Sequence, residues 1–171
     1  MAYNKNKILS ILIGILFILG IILYYFSSSS IPAASRNNNF SPSNSPDVLK
    51  KGSLVLGGQT VNVELALTDA EQYQGLSDRN SLCADCGMFF DFPYKDKLNF
   101  VMRNMHFPLD IIFINDDTIL NIDANLAPEG SKTNNIYSSI SEANRVLEVN
   151  AGYCEKHGIK AGDKISDLKI N

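Results

Sequence analysis

From Ile8 to Phe26 the chain runs nineteen residues without a charge, ILSILIGILFILGIILYYF, and this run separates what can fold in water from what cannot. As a helix it would be about 28 Å long at 1.5 Å rise per residue, close to the hydrocarbon thickness of a bilayer. A cleavable export signal has a shorter apolar region, of about 7–15 residues, and a small-residue cleavage site. Here only Ser28-x-Ser30 resembles such a site, and no cysteine follows closely enough for a lipoprotein signal. Residues 1–26 therefore read as a retained N-terminal membrane anchor with a single transmembrane helix. Lys5 and Lys7 precede the run, and only Arg36 lies within the next twenty residues. The positive-inside rule then keeps the N-terminus cytoplasmic and places the remainder outside the cell membrane.

Residues 27–47, SSSSIPAASRNNNFSPSNSPD, are mostly Ser, Asn and Pro. Such a segment cannot bury enough apolar surface to offset its ordering entropy, so it reads as a disordered tether. Its root-mean-square reach as a flexible coil is about 25 Å. The globular part is then 48–171, where twelve Lys and Arg face seventeen Asp and Glu, a net charge of −5. With no basic stripe and no nucleic-acid motif, that balance argues against DNA or RNA as a partner. A chain of this size closes a hydrophobic core without staples, so its three cysteines call for another explanation.

Within 48–171 the signals are those of short strands. In GSLVLGGQTVNVELALT, Leu54 and Leu56 alternate, Gly57-Gly58 turns the chain, and Val61, Val63 and Leu65 alternate again, which predicts a hairpin. Thr68 with Glu71 three residues on is a capping-box pattern, opening a short helix that Gly75 closes. GMFFDF and LNFVM have strand character, and PLDIIFIN is a continuous apolar run suited to burial on both faces. TILNIDANL and RVLEVN follow as strands, with loop between them over 127–141, a helical turn in AGYCEKHG and a last strand near the end. The expected fold is mostly β: a compact antiparallel sandwich or barrel-like domain with one or two short helices. Val61, Val63, Leu65, Phe89, Ile111, Phe113, Ile122, Val146, Leu147 and Val149 are its expected core.

The order of GLSDRNSL, GMFFDF, FVMRNMHFPLDIIFI and VLEVNAGYCEKHGIKAGDKI resembles the family known as domain of unknown function 192, over about Val61 to Ile165. The resemblance implies a compact, mostly β domain, often exported or membrane-tethered in prokaryotes, and no activity. It also implies a polar cluster of Arg79, Arg103, Asn104 and Asp110, with Met102 beside them. Guanidinium forks and an Asn amide suit anionic or hydroxyl-rich ligands, because they present donors in fixed directions. The plainer alternative is that Asn104 and Asp110 tie down the turn before Pro108 while Arg79 pairs with Asp110. The family usually has Trp-Met-Lys-Asn-Thr where this chain has Val101-Met102-Arg103-Asn104-Met105, so any site there is reshaped. The cysteines are not part of the family pattern.

No G-x-S-x-G, H-E-x-x-H or phosphate loop occurs, and a Cys86 or Cys154 pair with His106 has little to support it. Non-enzymatic binding of a small polar ligand or an envelope protein is the favoured function, an enzyme at the same cluster the alternative. A third possibility is a purely structural domain. Cys83-x-x-Cys86 and Cys154-x-x-His157 form two short hooks that use every cysteine in the chain. Cys83, Cys86, Cys154 and His157 together would make an ordinary Cys3His zinc site. In an oxidising compartment a disulfide among the three cysteines competes with it, and free thiols or redox chemistry stand behind both. The two hooks are expected to meet in space, through zinc or through a bridge from Cys154, whereas a Cys83–Cys86 bridge would constrain only a four-residue loop.

Overall fold

A computed structural model describes residues 49–171. The expected anchor (1–26) and tether (27–47) lie outside these residues, and among the described ones no helix is long and apolar enough to cross a membrane.

The predicted hairpin forms as β1 (Lys51–Leu56) and β2 (Gln59–Ala66), with Leu54 opposite Val61. Gly57 and Gly58 both take positive φ in the turn, a conformation that glycine adopts without the steric cost of a Cβ. Helix α1 (Asp69–Gln74) opens on the predicted capping box. The Thr68 hydroxyl accepts from the Glu71 amide at 3.3 Å, and the Glu71 carboxylate accepts from the Thr68 amide at 2.8 Å. Against the desolvation that raises it, the backbone amides of Leu67 and Thr68 hold the Glu71 carboxyl below its ordinary range. Strand β3 (Cys86–Asp96) and the two-residue β4 (Asn99–Phe100) follow. Next come β5 (Leu109–Asn115), β6 (Thr118–Leu126) and the short β7 (Tyr137–Ser138). Strand β8 (Ala143–Asn150), helix α2 (Tyr153–Lys156) and β9 (Ser166–Ile170) complete the chain.

Seven strands make one sheet in the order β6-β5-β8-β3-β2-β1-β9, and β4 pairs with β7 in a separate ribbon. The expectation of a wholly antiparallel arrangement is corrected at one place, because β2 and β3 run parallel, with Glu64 beside Met88. A parallel pair requires a crossover of a dozen or more residues. Here residues 67–85, with α1 inside them, supply it.

Both faces of the sheet are covered. On one, Leu54, Val61, Val63, Leu65, Phe89, Ile112, Leu147 and Val149 pack with Tyr153 and Cys154 of α2 and with Ile159 and Ile165. On the other, Met88, Phe90, Leu109, Ile111, Phe113 and Val146 lie beneath Leu76, Leu98, Met102 and Met105. Of the ten expected core residues only Ile122 is partly exposed. The central strands β5, β8 and β3 are thus buried on both sides, and each fully buried Leu, Ile or Phe contributes about 1.5–3 kcal/mol. Gly87 lets β3 and β8 approach closely, since a Cβ there would lie 2.8 Å from the Glu148 carbonyl oxygen.

Candidate functional site

The five residues of the expected polar cluster do not form one site. Asp110 is fully buried on the α2 side of the sheet, where its carboxylate binds three backbone amides. Oδ1 accepts from Asn125 at 2.8 Å and Gly152 at 3.1 Å, and Oδ2 accepts from Cys154 at 3.0 Å. It fastens the start of α2 and the end of β6 to β5. Asn104 holds a turn: its φ is 51°, its amide donates to Gly130, and its carbonyl accepts from Asp78. Met102 is wholly buried. Arg79 pairs not with Asp110 but with Glu64, in an ion pair without the alignment of a hydrogen bond.

Arg103 alone of the five lines a cleft of about 290 Å³ over the second face. One wall is α1 and its continuation, with Tyr73, Gly75, Leu76 and Ser77; the other runs from Asn99 to Met105. The floor is Phe90, Phe92 and Glu148. The Arg103 guanidinium stacks over the Tyr73 ring at 4.1 Å and donates to the Tyr73 carbonyl at 2.7 Å. Among the described residues, most of its five donors have no other partner. Phe100 stands edge-on to both Phe90 and Phe92, giving the cleft a rigid aromatic side.

Glu148 is the chemically unusual group here. It lies on β8 between Met88 of β3 and Ile111 of β5, 5% exposed. Burial pushes its carboxyl up to about 8, with the Arg79 charge opposing. At neutral pH it is therefore mostly a neutral acid, able to donate one hydrogen bond and accept others. Sequence reasoning passed over this residue. The signal was a lone Glu inside RVLEVN, a strand otherwise patterned for burial on both faces.

The hooks resolve differently from the zinc expectation. Cys83 is bonded to Cys86, with Cα atoms 5.1 Å apart, which removes two thiolates from the Cys3His set. Cys154 is a free, buried thiol, pushed up to about 12 by desolvation and then by the Asp110 carboxylate. His157 lies against the Tyr153 ring, centroids 4.4 Å apart, and its Nε2 has no hydrogen-bond partner. Among the described residues no group of three or more His, Cys, Asp or Glu side chains is arranged to hold a metal ion. The two loops are nevertheless neighbours, because the Asn150 side chain donates to the Cys83 carbonyl at 2.8 Å. Closing so short a loop is worth about 2 kcal/mol in the chain-entropy model, against about 4 for the seventy-residue closure through Cys154. The disulfide is not what holds the domain together.

Fold and cleft together define a small, mostly β domain with an aromatic-walled depression over a buried acid. The chain belongs to the family of domain of unknown function 192, described as Uncharacterized ACR, whose model matches residues 53–166. A crystal structure from Sinorhizobium meliloti, described as a candidate transcription regulator, is 34% identical with a TM-score of 0.61. The match covers 68% of this chain and 92% of that one. A protein of unknown function from Novosphingobium aromaticivorans is 36% identical, also with a TM-score of 0.61, over 69% of this chain and 84% of that one. No curated protein is similar enough to match.

Proposed function

We propose that this is a membrane-anchored, extracytoplasmic binding domain whose cleft takes a small ligand with an apolar body and an anionic end. The observation that carries the reading is the pairing of Arg103 at the rim with a neutral, buried Glu148 on an aromatic floor. The free guanidinium donors suit a carboxylate or phosphate, the phenylalanines suit the apolar body, and the protonated acid suits a hydroxyl or carbonyl. Native mass spectrometry of the full chain should find a small anion retained, and Arg103→Ala should weaken its binding about tenfold to a hundredfold, the loss of one charge-assisted contact. If benzoate and phenyl phosphate leave the Tyr73 and Phe100 resonances unmoved, and nothing is retained, the reading is wrong.

One observation favours an enzyme at the same cleft: a carboxyl still protonated near neutral pH is what general-acid chemistry requires. Binding is preferred because the Ser77 hydroxyl donates to the Arg103 carbonyl and no other acid or imidazole lines the cleft. The anchored topology rests on the uncharged run 8–26 and its Lys flank. Protease added outside intact cells should release a fragment close in size to 48–171, and a protected domain would reverse the orientation.

A further inference from the structure

A second cleft, of about 490 Å³, is lined by Arg79 and by both Cys83 and Cys86. We propose that the Cys83–Cys86 disulfide is an exchangeable redox couple, which takes an electron pair from a dithiol and, by the reverse exchange, returns it to a disulfide without unfolding of the domain.

Three observations carry this. The sulfurs are reachable, since Cys83 is exposed, Cys86 is partly exposed, and the cleft beside them is large enough for a small dithiol or a side-chain thiol. Two cations, Arg79 and Lys51, line the same cleft against one acid, Glu64, which is paired with Arg79, and the remaining positive charge favours the thiolate that each exchange step leaves behind. The loop is also held without the covalent bond: the Cys86 amide donates to the Cys83 carbonyl at 3.2 Å and the Asn62 amide to the Asp85 carbonyl at 2.9 Å. With the Asn150 contact these keep the two sulfurs neighbours after reduction, so the couple is preorganised to close again. Cys154, the remaining thiol, is buried and cannot scramble the pair.

The steps balance. A thiolate of the incoming dithiol attacks the exposed Cys83 sulfur, forming a mixed disulfide, and the electron pair of the Cys83–Cys86 bond leaves on the Cys86 sulfur, which takes up a proton. The second thiolate of the dithiol then attacks its own bonded sulfur, closing a disulfide within the reagent. Cys83 departs as a thiolate and is protonated. The dithiol is oxidised by two electrons and the cysteine pair reduced by two.

Dithiothreitol, in graded mixtures of its reduced and oxidised forms, serves as probe for the full-length protein. Alkylation and mass spectrometry read each cysteine while circular dichroism reads the fold. Cys83 and Cys86 should become labelled together and reversibly while the spectrum is unchanged and Cys154 stays unlabelled. Arg79→Ala should slow the reduction about threefold to tenfold, by removing a charge near the developing thiolate, and Arg79→Lys should restore most of the rate. Labelling of Cys83 and Cys86 only in step with Cys154 and with loss of the native spectrum would overturn the proposal. So would a rate indifferent to the charge at position 79.

Discussion

Asp110→Ala should cost the domain about 3–6 kcal/mol, because the buried Cys154 amide and the part-buried Asn125 and Gly152 amides lose their acceptor at about 1–3 kcal/mol each, the part-buried pair at the low end. The amides of Asn125, Gly152 and Cys154 belong to two different segments. A domain of this size has only about 5–15 kcal/mol to lose, so the melting temperature should fall by at least about 10 °C. Asp110→Asn keeps one acceptor oxygen and turns an amide group towards donors, so it should fall between the two. Thermal melts of the three proteins at neutral pH decide the matter. An alanine variant within a few degrees of the parent would mean that the carboxylate is not the fastening it looks to be.

The second large effect concerns pH. The Glu148 carboxyl titrates near its ordinary 4.5 when the chain is unfolded and at about 8 when folded. Between those values the folded state holds a proton that the unfolded state has lost, so stability must fall as pH rises. The contribution of the neutral form is complete below about pH 4.5 and lost by about pH 8, and it amounts to about 5 kcal/mol. Glu148→Gln keeps the shape and the hydrogen-bonding capacity but has nothing to ionise. Denaturant unfolding at pH 5, 7 and 9 should show the variant gaining on the parent by several kcal/mol as pH rises. Two parallel curves would mean that the carboxyl is ionised in the folded protein across the whole range.

These two acids show where sequence reading succeeded and where it stopped. The strand after Pro108 was readable because a nearly unbroken apolar run admits few other fates, and its Asp110 was singled out through the family resemblance. What could not be read was the side of the sheet it faces. In a strand buried on both sides alternation carries no hydropathy contrast, and Asp110 went to the α2 face, away from Arg103. The capping box of α1 was readable since both partners lie within four residues, whereas the parallel register of β2 on β3 depends on contacts across a crossover. The cysteine spacing suits a metal hook and a short disulfide equally. The choice lay in how the loop 83–86 turns and in Cys154 facing the core, neither of which spacing expresses.

The outermost pairing of the sheet joins its first strand to its last, with Gly52 beside Ile170 and the Asn171 amide bonded to the Lys51 carbonyl. During synthesis this has a temporal meaning. Strand β1 can find β2 as soon as the hairpin emerges, but its other edge stays open until Ser166–Ile170 has been made. For that interval a row of backbone donors and acceptors is available to any extended segment nearby, including the β1 of a neighbouring nascent copy. The final five-residue strand acts as the closing step of assembly, and a ribosome stalled before it would leave a nearly finished domain with one adhesive side.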